Sequence, residues 1–159
     1  MGFTLVEVLV VVILLSLVLS TVLFLYKSAF DASGTLLKES ERLERISSLY
    51  WDLTRAVYGA KRLKLVNGTE LYLITTGGKF YRGVVKAAYV FKNRTLYYYE
   101  FPYPYGSIDD FGSQKPVELG RFESFKVYAV DGANLLPYSY GRERLFRVEV
   151  EGQTFYLSR

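Results

Sequence analysis

Glu7 is a lone carboxylate in an otherwise apolar run of helical length, and it stands four residues after Phe3. On insertion scales a charge at the centre of a spanning helix costs on the order of 2.5 to 3.5 kcal/mol, and less towards the interface, so it is usually paired. If the chain were cut between Gly2 and Phe3, a new α-amine would lie one helical turn from Glu7, and the same pair could form between neighbouring subunits. Other chemistry is sparsely represented. The chain has no histidine and no cysteine, so it lacks the usual general base, the commonest metal ligand and any disulfide. Asp109 and Asp110 could ligate calcium, but their surroundings lack the alternating oxygen ligands of an EF-hand, and adjacent loop carboxylates are mostly solvated. Gly77-Gly78 has no phosphate-loop context and reads as a turn. Neither a catalytic constellation nor a cofactor is expected.

The element that carries Glu7 is unusual. From Val8 to Tyr26 the sequence holds no charge. At ~1.5 Å per residue that stretch reaches the ~30 Å of a bilayer core. A core helix of a small domain would show a polar face, whereas only Ser16, Ser20 and Thr21 interrupt this one. A cleaved signal peptide would need a basic start, a shorter core and a small-residue cleavage site after it; instead Lys27 follows directly, so the segment is expected to be retained.

Beyond it the period is helical. Phe30, Leu37, Leu43, Ile46, Tyr50, Leu53 and Val57 recur on one face, with Lys38, Glu39, Glu41, Arg42, Glu44 and Arg45 on the other. Glu41 and Arg45 have the spacing of a favourable pair. Gly34 marks a candidate bend or point of melting, and Gly59 a stop. A helix from about Phe3 to Tyr58 would extend roughly 84 Å, more than so small a globule can bury.

After Lys61 the pattern becomes short strands, KRLKLV, TELYLITT, VVKAAYVFK, TLYYYEF, FESFKVYAV, LFRVEVE and QTFYLS, with turns at Asn67-Gly68, Asn93-Arg94, Asp131-Gly132 and Gly152-Gln153. The segment 102–116 holds three of the four prolines and reads as a long loop. The expected class is therefore α+β, with a long N-terminal helix on a small antiparallel β domain. The boundaries are a leader at 1–2, an apolar helix at 3–26, an amphipathic helix at 27–58 and the β domain at 59–159.

Net charge is +4. The cations Lys61, Arg62 and Lys64, and Arg142, Arg144 and Arg147, are dispersed along strands, where they usually mark a solvated face. The fifteen tyrosines could stack on sugars or bases, but tyrosine is also an ordinary half-buried strand residue. In space, a contiguous basic and aromatic groove would favour binding, and scatter would favour assembly.

At Gly2-Phe3-Thr4-Leu5-Val6-Glu7-Val8-Leu9-Val10 the sequence resembles the processing and methylation site of type IV pilins and of the pseudopilins of type II secretion systems. RLERISSLYWDLTRAV and AAYVFKNRTLYYYEF are similar to the J-type minor pseudopilin, and minor type IV or competence pilins share much of this pattern. The resemblance implies cleavage by prepilin peptidase after Gly2, methylation of the new N-terminal Phe3, and a role for Glu7 in subunit recognition and assembly. It also implies a single-pass inner-membrane protein with a pilin-like globular part in the periplasm, partnered by other minor and major pseudopilins, of I- and K-type foremost. Nucleic acid is not an expected partner of a pseudopilin, whereas the competence-pilin alternative would contact DNA. Family leaders carry basic residues before the Gly, where only Met1 stands here, so placement of the globular part rests on the resemblance.

Overall fold

The computed structural model describes residues 4–159. They form two units that divide between Glu44 and Arg45, inside one continuous helix, α1 (Leu5–Tyr58). The α+β layout expected from the sequence is what the chain adopts.

In the first unit every large apolar side chain described between Leu5 and Leu43 is exposed. Its most apolar stretch is long enough and hydrophobic enough to cross a membrane. The helix runs without melting through Gly34, where a bend or local melting was expected. A lone glycine costs a helix only ~1 kcal/mol, and the neighbouring hydroxyls of Ser33 and Thr35 stay inside the helix, bonded to the Ala29 and Asp31 carbonyls. On the charged face Arg42 forms an ion pair with Glu39, at 3.2 Å.

The apolar stripe is buried over a shorter span than its period suggests. Phe30, Leu37 and Leu43 are exposed, and burial begins at Ile46, continuing through Leu49, Leu53, Ala56 and Val57. Those residues belong to the second unit, where two antiparallel sheets supply the apolar surface that a stripe needs.

Sheet A is a meander of β1 (Ala60–Val66), β2 (Glu70–Thr75), β3 (Val85–Lys92), β4 (Thr95–Phe101) and β5 (Val117–Arg121) in sequence order. Sheet B has the order β7-β6-β8-β9, built from β6 (Phe125–Asp131), β7 (Asn134–Leu136), β8 (Leu145–Val150) and β9 (Gln153–Ser158). Alternate residues of both sheets, among them Leu63, Leu73, Tyr89, Tyr98, Val127, Phe146 and Leu157, join the helix residues in one core. The tight turns follow their chemistry. Asn93 and Arg94, with φ of 53° and 60°, link β3 to β4, and Glu151-Gly152, at 48° and 81°, link β8 to β9. Thus the last hairpin turn lies one residue before the expected Gly152-Gln153. In the β6–β7 hairpin Asp131 pairs with Asn134, which puts Gly132-Ala133, not Asp131-Gly132, at the turn.

The helix end is fixed by β2. The Thr75 hydroxyl donates to the Ala56 carbonyl at 2.7 Å and accepts from the Gly77 N–H at 2.9 Å. A Cβ on Gly77 would lie 2.1 Å from the Arg55 carbonyl oxygen, so this glycine serves a close backbone approach as well as a turn.

Candidate functional site

Thr4 and Glu7 close the start of α1. The Glu7 carboxylate accepts from the Thr4 backbone N–H at 2.9 Å and from its hydroxyl at 3.2 Å. In return the Glu7 N–H approaches the Thr4 hydroxyl oxygen at 3.4 Å and the Thr4 carbonyl at 3.1 Å. This reciprocal arrangement satisfies N–H groups that a helix start leaves orphaned, and it puts a negative charge at the positive end of the helix dipole. Glu7 therefore has a partner within its own turn. The Thr-x-x-Glu spacing carries that signal in the sequence, beside the spacing that suits an amine at Phe3. Gly2 and Phe3, the expected processing and methylation positions, lie outside the described residues.

Past the cap, the helix hides its few polar groups. The hydroxyls of Ser16, Ser20 and Thr21 donate to the carbonyls of Val12, Ser16 and Leu17 at 2.8, 2.8 and 2.9 Å. Each hydroxyl is satisfied internally, as a medium without water demands. Leu5, Val8, Leu9 and Val12 share one exposed face with the spacing of a helix contact ridge. What this end of the molecule can do is pair a charge and pack against apolar surface.

In the second unit two buried charged residues, neither singled out by the sequence, hold loops in place. Glu100, on the core face of β4, accepts from the backbone N–H groups of Lys79 at 2.6 Å, Phe80 at 3.1 Å and Tyr81 at 2.7 Å, and from the Tyr98 hydroxyl at 2.5 Å. Burial pushes the Tyr98 phenol far up, so it remains a donor. Gly78 makes room: a Cβ there would come within 2.6 Å of Glu100 Oε1.

On the opposite face of sheet A, the buried Lys86 ammonium donates to the carbonyls of Asp110 at 2.5 Å and Ser107 at 3.2 Å, and lies 5.3 Å from the Phe101 ring and 5.6 Å from the Phe111 ring. The loop 102–116 thus folds back on the sheet, with Phe111 also against Tyr72 and Tyr99.

The calcium candidates are otherwise engaged. Asp109 pairs with Lys64 at 2.5 Å and accepts from the Ser107 hydroxyl, and Asp110 caps the Gly112 N–H at 2.9 Å. Among the described residues no group of three or more His, Cys, Asp or Glu is placed to hold a metal ion. The hydrogen bond from Lys64, then that from Ser107, pulls the Asp109 carboxyl down from 3.8 to about 2. Its folded value lies below its unfolded one, so the tie is fully present above pH ~4 and is lost as pH falls towards 2. Because an ammonium already fills the carbonyl cradle, EDTA is expected to leave the melting temperature unchanged. Lys86→Ala should cost about 2–4 kcal/mol through a cavity and two unsatisfied carbonyls, and should open the 102–116 loop to proteolysis. Thermal unfolding with and without EDTA checks both; a drop on chelation would restore a metal role.

The dispersed cations are partly brought together. Lys61, Arg62, Lys64, Ile108, Tyr140 and Arg159 line a cleft of about 350 Å³ beside the β1 edge. Arg147 is elsewhere, on the outer face of sheet B, level with Tyr128 and Tyr156 and paired with Glu149 at 2.5 Å.

No family model matches the chain, and no solved structure matches it. An uncharacterized protein of Aquifex aeolicus (strain VF5) is 48% identical over 130 residues, which make up 82% of this chain and 75% of that relative.

Proposed function

We propose, for a chain that belongs to one family with this uncharacterized Aquifex aeolicus protein, that it is a structural minor pseudopilin of a type II secretion pseudopilus, most like the J-type. The observation that carries the reading is the start of α1. A Thr4–Glu7 cap stands at the head of a helix whose first part, from Val8 to Tyr26, is apolar all round, with its hydroxyls turned back on its own carbonyls. Such a helix gains from lipid or from similar helices and gains nothing from water.

On this reading prepilin peptidase cuts between Gly2 and Phe3 and methylates Phe3, and Glu7 pairs with the new amine of its own or a neighbouring subunit. The helix is stored in the inner membrane with the β domain in the periplasm, and is then extracted into a filament beside other minor and major pseudopilins, of I- and K-type foremost. The chain performs no turnover and needs no cofactor.

Intact-mass analysis after co-expression with a prepilin peptidase tests it. The expected product begins at a methylated Phe3. A product that keeps Gly2, or one that has lost the whole segment to Tyr26, would sink the reading.

A further inference from the structure

The two sheets have an edge at β1, β5, β7 and β9, and the first three are guarded. On β1 the Leu65 backbone exchanges hydrogen bonds with Ser139 at 2.8 and 3.1 Å, and the Arg159 guanidinium takes the carbonyls of Ala60 at 3.0 Å and Lys61 at 2.8 Å. Strand β5 meets β4 with a register shift and carries the exposed charges Glu118 and Arg121. Strand β7 is three residues long. Covers, bulges, charges and brevity are the ordinary means by which an edge is kept from pairing with another chain.

Strand β9 has none of them. Its six residues, QTFYLS, include no charge, proline or glycine, and they pair with β8 without a register shift. The hairpin turn is Glu151-Gly152, so Val150 and Gln153 form its closing hydrogen-bonded pair. Strand alternation then directs the backbone N–H and C=O of Gln153, Phe155 and Leu157 at β8, and those of Thr154, Tyr156 and Ser158 away from the sheet. These three residues are exposed, and among the described residues no other backbone bonds their outward groups. A row of rings borders the edge. The half-buried Phe155 lies 5.1 Å from Tyr50 of α1, and Tyr50 lies 5.2 Å from the exposed Trp51.

We propose that the β9 edge pairs with the β9 edge of a second copy of this chain, antiparallel about Tyr156, so that sheet B continues from one molecule into the next. In that register Thr154 faces Ser158 of the second copy, hydroxyl beside hydroxyl, and Tyr156 faces Tyr156, each facing pair exchanging two backbone hydrogen bonds. Charge and length select the occupant. An acidic or basic segment finds no counter-charge on β9, and on β8 Arg147 and Glu149 already neutralise each other at 2.5 Å. What fits is an uncharged strand of matching length, and the edge itself is one; the two-fold relation sets no like charges face to face. The other edges of a second copy are covered, charged or too short to serve. The proposal does not depend on the pseudopilin reading, since every residue in it belongs to the second unit.

The chain has no cysteine, so single introduced cysteines report the pairing. Facing Cα atoms of a hydrogen-bonded pair lie about 5.5 Å apart, within reach of a disulfide. In the full chain, held in a nonionic detergent with a mild oxidant, Tyr156→Cys should form a disulfide-linked dimer about tenfold faster or more than Lys115→Cys, an exposed control in the 102–116 loop. Thr154→Cys and Ser158→Cys should each crosslink slowly alone and fast when mixed, which reads the register. Tyr156→Lys sets like charges face to face, so it should weaken dimerisation about tenfold or more in sedimentation equilibrium, and mixing it with Tyr156→Glu should restore the dimer. A chain that stays monomeric, or crosslinks equally fast through Tyr156→Cys and Lys115→Cys, would overturn the proposal. So would fast crosslinking of Thr154→Cys with itself, or a dimer that Tyr156→Lys leaves intact, as association through α1 alone would give.

Discussion

Glu100→Ala is expected to lower the stability of the β domain by about 3–5 kcal/mol, because it strips the partner from three backbone N–H groups at once. Lys79, Phe80 and Tyr81 bring their amides to one carboxylate, and the Tyr98 hydroxyl adds a fourth donor in the buried core. Left without it, Phe80 and Tyr81 lose their acceptor, while the Lys79 N–H keeps only the Tyr98 hydroxyl, at 3.3 Å. For a domain of this size the loss corresponds to roughly 10–20 °C in melting temperature, a large part of a typical total of about 5–15 kcal/mol. Glu100→Gln keeps one acceptor but aims an amide donor at other donors, so it should fall between the two. Thermal unfolding followed by circular dichroism decides it. A Glu100→Ala protein that melted within about 2 °C of the unaltered chain would show that the 79–81 loop is held by other means.

Glu100 also marks what the sequence could not reveal. In TLYYYEF it sits where alternation puts a core residue, yet its partners come from a loop some twenty positions earlier, and no local pattern records them. Lys86 is hidden for the same reason, since the carbonyls and rings that hold it belong to the 102–116 segment. Features with local causes were legible. The long helix followed from its period, its end at Tyr58 from Gly59, and the β3–β4 hairpin from Asn93-Arg94. Strand β5 was missed because VELGR shows no alternation on an exposed edge, and β7 because three residues are too few to carry a pattern. The upstream stripe of Phe30, Leu37 and Leu43 misled in the other direction, since a period announces an apolar face without saying what meets it. The basic cleft could not be seen at all: Lys61 and Arg62 reach Tyr140 and Arg159 only through the closing of both sheets.

The second large effect is expected at Glu7. Glu7→Ala removes both a charge and the helix cap that Thr4 shares, and it should reduce incorporation into an assembled filament about tenfold or more while leaving membrane insertion intact or easier. Two roles are then separable. Glutamine serves as well as glutamate in a reciprocal cap, so Glu7→Gln should keep the helix start closed. If the charge serves to pair with the amine of Phe3, Glu7→Gln should assemble as poorly as Glu7→Ala. Normal assembly of Glu7→Gln would instead reduce Glu7 to a capping residue.

Site-specific photocrosslinking at Val12 in native membranes tests the assembly role most directly. Val12 lies on the exposed face shared by Leu5, Val8 and Leu9, seven residues from Leu5 along α1. If α1 is an assembly helix, a crosslinker there captures other subunits that carry the same N-terminal motif, and Glu7→Ala abolishes those products without removing the protein from the membrane. Crosslinks to lipid alone, or subunit crosslinks that persist undiminished in Glu7→Ala, would contradict the account.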